Sequence, residues 1–418
     1  MLGDAMMSER YLGSGGVLLL GMIAMTAAIF SLTNLVGWDA AWRAFGVTPL
    51  QPPFFDMHVI NDYAECARKG VDAYAPRACS VVNFNIPPAW LWIGSLGVNG
   101  SDSPWLSAAI ITAAATIMVL LFKGRSRSQG VVALGALISP TVLMGVERAN
   151  LDLLILALVG CAALIYEERS AARIGGAVAL ICSGIVLKLI PVFCVSLIAR
   201  LSKRALIFAC VVAAFSLLYL SYIFDYVVLI RRNVPTTFIL SYGYKAAFMG
   251  IDHLRAELTP IHLEETWAPT LTAAAVFFGA GALALHTHRR TESFAISASP
   301  AGTAFLFGAG IYCGTYVLGT NFVYRLMFLL LCIPQLQDWQ TQRRNGNQST
   351  GNAELGLYAT VVGALWLNGN ANGHSVSAFL VLPQILNLIL FFSMSAVLVL
   401  VFLRGLSVAV CGLRRAKN

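Results

Sequence analysis

The sequence predicts an all-α, polytopic membrane protein of about 11–13 helical spans, built as one membrane-embedded domain over residues 1–418. Three observations lead there. Of its 418 residues, 58% are hydrophobic and 11% are charged, against roughly a quarter charged in a soluble domain. Several apolar runs reach the ~17–25 residues that a helix needs to cross a bilayer. No alternating barrel-type strands are present, so helices are left to satisfy the backbone in lipid.

The net charge of +8 does not point to a nucleic-acid partner. The basic residues recur in short interruptions of the apolar runs: KGRSRS (Lys123–Ser128), ARLSKR (Ala199–Arg204), HTHRR (His286–Arg290), QRR (Gln342–Arg344) and the tail LRRAK. That is the pattern of cytoplasmic loops, and it places both termini inside.

Each element follows from apolar length and loop chemistry. The run from Gly13 to Val36 is longer than a signal-peptide core and reads as a retained first span. Outer-face loops over 37–103 and 225–267 are expected to cap an active site. Within the first loop, Asn85–Val98 is too short to cross alone and lies at the interface, anchored by Trp90 and Trp92. Spans are expected at Pro104–Phe122, Val131–Val146 and Leu151–Tyr166, then at Ile174–Ile190 and Pro191–Ala199 about the KLIP junction. Ala205–Phe224, Ala268–Leu285, Thr303–Leu318, Phe322–Leu336, Leu355–Leu367 and Val376–Phe402 complete the set. Of nine cysteines, Cys66 and Cys79 alone fall in an outer loop. A disulfide is allowed there in an oxidising compartment, with the unpaired state carrying more weight.

The remaining ionisable groups are few and gather at one side. Asp56 opens the first loop, followed by His58; Glu147, Arg148 and Asp152 sit at a border in GVERANLDL; Lys188 is flanked by apolar residues; Arg325 starts a late span; Arg231 and Arg232 are in the second loop. A charge at membrane depth costs about 3 kcal/mol by insertion scales. Under this topology all lie at outer ends of spans, which points to a polar cavity at the outer leaflet. Simpler readings compete: Lys188 snorkelling to headgroups, Glu147–Arg148 as a border pair, Arg231–Arg232 on lipid phosphates, Asp56 as a helix cap. Asp62 and Glu65 read as a solvated helix face.

In order along the chain, these motifs resemble those of GT-C membrane glycosyltransferases of the family 87 type, which include polyprenyl-phosphate-mannose mannosyltransferases and arabinofuranosyltransferases. Asp56 with HVINDYAECARKGVDAYAP resembles their first-loop stretch; FNIPPAW, GVERANLDLLILAL, VLKLIPV and NFVYRLMFLLLCIPQL resemble later ones. Ile86 stands where a Tyr usually precedes the Pro pair, and the usual Gln near Asn150 is missing.

The resemblance implies transfer of a mannose- or arabinofuranose-class sugar from a polyprenyl-phosphate donor to an acceptor hydroxyl, by inverting direct displacement. It implies a bacterial inner membrane, with the active site on the periplasmic face. The acceptor is a glycolipid, a polysaccharide or a protein. Asp56 is the expected general base. Arg325, Lys188, Arg231 and Arg232 are the donor-phosphate candidates, since developing phosphate charge needs cationic donors. His58, Glu147, Arg148, Asn150, Asn321 and Tyr324 are the expected orienting residues. No Asp-x-Asp motif is present, and no metal or other cofactor is expected. The rival class is a transporter or flippase, for which pseudo-symmetric halves and charges near the bilayer midplane are expected instead.

Overall fold

The computed structural model describes residues 13–235, 237–255, 263–288, 294–344, 352–369 and 381–415. The chain is helical almost throughout; among the described residues the exception is one antiparallel bridge, Ser241–Tyr242 (β1) with Asn321–Phe322 (β2). Five helices are long and apolar enough to cross a membrane: Ser14–Val36, Gly100–Phe122, Lys203–Tyr222, Ala268–His288 and Leu382–Ser407. A sixth counts if the bent pair Arg127–Leu137 and Pro140–Glu147 is one span. Their outer faces are apolar: Leu20, Ile23, Phe30 and Leu35 of the first are each more than half exposed, which lipid tolerates and water does not.

Several expected spans are shorter or broken, for local reasons. The Val131–Val146 run bends by 58° where Pro140 starts a new helix, because proline has no N–H to continue the ladder. The run beginning at Pro191 is a 3-10 helix, Ile190–Arg200, and the Phe322–Leu336 run holds a 3-10 helix, Val323–Leu331, before Ile333–Arg344. Residues 376–380 of the last expected span lie outside the described residues, as do Arg289 and Arg290 of the HTHRR cluster.

Two compact units are present. The first comprises the described residues of Met1–Ala162, Ala179–Val192 and Ala214–Thr236. It contains helices α1 (Ser14–Val36), α2 (Trp38–Ala44), α3 (Phe55–Arg68), α4 (Ser103–Phe122), α5 (Arg127–Leu137) and α6 (Pro140–Glu147). The start of α7 (Asp152–Ile165) and the end of α8 (Ala171–Leu187) also belong to it. Helix α3 is amphipathic: Met57, Ile60, Asn61, Tyr63 and Ala64 are buried, while Arg68 and Lys69 are exposed. The buried face packs with Phe84, Trp90, Ala149 and Leu151 in one apolar cluster. The 3-10 helix Pro88–Leu96 lies so close to α3 that a Cβ on Gly94 would stand 2.1 Å from the Ala64 carbonyl oxygen. Cys66 and Cys79 are joined in a disulfide, with Cα atoms 6.0 Å apart, the arrangement given the lesser weight from sequence.

The second unit comprises the described residues of Ala163–Val178, Phe193–Ala213 and Thr237–Asn418. Its helices include Ala246–Arg255, Ala268–His288, Pro300–Val317, Ala353–Leu367 and Val381–Arg415. The β1–β2 bridge holds two turns together; a Cβ on Gly243 would meet the Gly319 carbonyl oxygen at 1.9 Å, so that crossing requires glycine.

Candidate functional site

In the first unit, four helix ends meet. Between α6 and α7 the chain turns in a Schellman arrangement. The Asn150 N–H donates to the Gly145 carbonyl at 2.9 Å and the Ala149 N–H to the Val146 carbonyl at 3.0 Å. Ala149 holds the left-handed position at φ 47°, where a Cβ costs about 1–2 kcal/mol. Asn150 then caps α7: its Oδ1 accepts the Asp152 N–H at 2.9 Å.

Helix α3 starts against the same turn. The Phe54 N–H donates to the Glu147 carbonyl at 3.2 Å and the Asp56 N–H to the Arg148 carbonyl at 3.1 Å. Orphan N–H groups of one helix start thus answer orphan carbonyls of another helix end. The docking brings the Asp56 carboxylate to Asn150, whose Nδ2 donates to Asp56 Oδ2 at 2.5 Å. Asn150 Oδ1 already faces donors, so the orientation of its amide follows from chemistry: the NH₂ must be the end facing Asp56.

Lys188 arrives from the fourth helix end. Helix α8 stops at Leu187, before the Pro191 break. Trp90 Nε1 donates to the Leu187 carbonyl at 2.9 Å and the Tyr219 hydroxyl to the Val186 carbonyl at 3.0 Å, which satisfies the closing turn. Lys188 does not snorkel: it is 8% exposed, with Nζ 2.8 Å from Asp152 Oδ1 and 3.3 Å from Asn150 Oδ1. Asp152 is fully buried. A continuous polar line therefore runs Asp152–Lys188–Asn150–Asp56, and Asp56 at its end is partly exposed. With its Oδ2 held by Asn150 and the side chain partly exposed, Asp56 is placed to meet a substrate hydroxyl. Burial raises the Asp56 carboxyl above its ordinary 3.8; the charges of Arg148 and Lys188 and the Asn150 hydrogen bond oppose that rise, and Asp152 adds to it.

The other sequence-selected residues divide. Arg148 acts on Asp56 through its charge, with Nε 4.0 Å from Glu147 Oε2. Glu147 is buried and its Oε1 accepts from the Leu50 N–H at 2.9 Å and Trp38 Nε1 at 3.4 Å, an anchor for the preceding loop. His58 stands by Asp62, where its charge counters the rise that partial burial gives the Asp62 carboxyl. Arg231 and Arg232 are exposed at the end of the helix Phe224–Asn233. Asp152, absent from the residues chosen by motif, is the ion partner of Lys188; an acid opening an apolar helix was its sequence signal.

Arg325, Asn321 and Tyr324 form their own arrangement in the second unit. Arg325 Nη1 donates to Asn321 Oδ1, Asn321 Nδ2 donates to the Thr315 carbonyl at 2.6 Å, and Tyr324 stacks on Phe322. In β1, Tyr242 is buried with its hydroxyl 2.7 Å from that of Thr315, a packing role. The same unit encloses a cavity of about 230 Å³ lined by Phe238, Tyr244, Phe248, Ile251, Thr272 and Gln384 among others. Among the described residues no group of three or more His, Cys, Asp or Glu side chains is placed to hold a metal ion. Compared with family models, with curated proteins and with solved structures, the chain matches none.

Proposed function

We propose that this chain is a membrane glycosyltransferase of the GT-C type, similar to family 87, with 11–13 membrane passages if the shorter apolar segments also insert. It moves a mannose- or arabinofuranose-class sugar from a polyprenyl phosphate to an acceptor hydroxyl by single, inverting displacement on the outer face of a bacterial inner membrane. The observation that carries this reading is the Asp56 carboxylate: raised by burial, held at one oxygen by Asn150 and partly exposed. Such a group is a stronger base than a solvated carboxylate and is pre-aimed at a hydroxyl proton. The Cys66–Cys79 disulfide in the same segment supports an oxidising, outer-face location. The positive-inside distribution supports cytoplasmic termini.

In this reaction the acceptor hydroxyl oxygen bonds to the anomeric carbon while the bond to the phosphate oxygen breaks. The hydroxyl proton goes to Asp56, and the leaving polyprenyl phosphate carries the electron pair away. Arg325 is the preferred cation for that phosphate, with Arg231 and Arg232 as further candidates. The test is sugar transfer by the full-length protein in lipid nanodiscs, supplied with polyprenyl-phosphate mannose or arabinofuranose. Asp56→Asn, close in size, should lower transfer by at least about 100-fold while the protein still folds; transfer retained by Asp56→Asn would remove Asp56 from the mechanism.

A further inference from the structure

Lys188 carries a motif resemblance that suggests a phosphate ligand, yet its surroundings describe another task. Its ammonium lies between Asp152 Oδ1 at 2.8 Å and Asn150 Oδ1 at 3.3 Å, and the side chains of Lys188 and Asp152 are 10% and 0% exposed. A lysine this enclosed is poorly placed to meet a lipid phosphate arriving from outside. It is well placed to hold an amide. If the Asn150 side chain turned over, its NH₂ would face two donors, the Lys188 ammonium and the Asp152 backbone N–H. It would also present an oxygen to the Asp56 carboxylate. All three contacts would become repulsive.

We propose that the Asp152–Lys188 ion pair is a positioning device that locks the Asn150 amide with its N–H toward Asp56, and so orients the Asp56 carboxylate toward the acceptor. This rests on the reading of Asp56 as the base. The pair works from behind: Asp152 opens α7, where the helix N-terminus favours its negative charge, and it holds the ammonium against the amide oxygen. Neither Asp152 nor Lys188 touches the reacting atoms. The chain of contacts alternates acceptor and donor from Asp152 to Asp56, so loss of any member frees the last.

The test compares Lys188→Met, Asp152→Asn and the double variant Lys188→Met/Asp152→Asn in the full-length protein, with Lys188→Arg as the charge-keeping control. The double variant leaves no uncompensated buried charge and keeps the experiment readable if a single variant fails to fold. Transfer kinetics should show kcat reduced by about 10- to 100-fold, donor KM within about twofold, and the double variant no worse than the worse single one. Lys188→Arg should recover part of the loss. A rise in donor KM of about tenfold or more in Lys188→Met, with kcat kept, would make Lys188 a phosphate ligand and overturn the proposal. A second readout does not need transferase activity: the pH dependence of carbodiimide coupling to Asp56, followed by peptide mass spectrometry, because the protonated carboxyl is the reactive form. Removing Lys188 or the Asn150 N–H should shift that coupling curve to higher pH. An unmoved curve in all variants overturns the proposal. Absence of transfer by the wild-type protein alongside a shifted curve overturns the glycosyltransferase reading alone.

Discussion

Replacing Asn150 by Asp changes one group and keeps almost everything else. Asp is as good a helix cap as Asn, so the α7 start, held by the Asn150 Oδ1 contact to the Asp152 N–H, should survive, and Lys188 should still find an acceptor. What disappears is the N–H that meets Asp56 Oδ2 at 2.5 Å; a second carboxylate takes its place. Carboxylates in such contact have charge centres ~4 Å apart and repel by about 4 kcal/mol at an effective dielectric of ~20. That disfavours the doubly ionised pair by about a thousandfold, so the two share a proton. The sign is clear. Burial already raises the wild-type Asp56 carboxyl above 3.8, and the substitution raises it further. A general base acts only when deprotonated, so activity is lost as pH falls through the raised value. The variant should therefore lose transfer at neutral pH and regain it as the pH is raised. The assay is kcat against pH, with thermal unfolding of the same preparations to show that the fold persists. A variant with wild-type kcat at neutral pH and an unmoved acid limb would refute the contact between Asn150 and the base.

Three further outcomes follow from the first unit. Gly94→Ala drives a Cβ into the Ala64 backbone carbonyl, 2.1 Å away, and should cost about 2 kcal/mol or more as the 3-10 helix shifts off α3; an unchanged melting temperature would contradict that packing. Opening the Cys66–Cys79 bridge, which closes a sequence separation of 13, should cost about 3 kcal/mol in the chain-entropy model. The loss would show as faster amide exchange across the bridged segment in a Cys66→Ser/Cys79→Ser protein, and unchanged protection would argue that neighbouring contacts alone hold it. Glu147→Leu leaves the Leu50 N–H and the Trp38 indole without their shared acceptor and should cost about 1–3 kcal/mol. Glu147→Gln, which keeps an acceptor oxygen, should cost less; equal losses would mean that charge, not the hydrogen bonds, is what Glu147 supplies.

The helical, membrane-type character was legible because lipid imposes it on composition and run length. Asp56, Arg148 and Lys188 were legible as rare ionisable groups at the ends of apolar runs, where an ionised residue without a partner is costly, and Asn150 only through the motif resemblance. Their pairing was not. Nothing in GVERANLDL shows that Asn150 sends its oxygen to cap α7 and its nitrogen to Asp56, because that choice depends on two donors from elsewhere. His58 was grouped with Asp56 by closeness in sequence, but two residues along a helix is about 200° of rotation, so it stands with Asp62 instead. Hydropathy alone did not show that the runs around Pro140 and Pro191 are apolar without being continuous α-helix.

An amide touches the base, and that choice matters for the chemistry. An ammonium or guanidinium in direct contact with Asp56 would hold its carboxyl down by about 1–3 pH units and leave a weak base, well oriented but reluctant to take a proton. A solvated carboxylate would be free to rotate. Asn150 separates orientation from basicity: it donates a hydrogen bond to Asp56, yet it is neutral, so the Lys188 charge reaches Asp56 only at one remove. Burial then dominates and raises the carboxyl. The ion pair that fixes the amide stays behind it, where Asp152 offsets much of the lysine's field. A base built this way keeps one oxygen aimed and its proton affinity high, which is the combination that abstraction from a sugar hydroxyl demands.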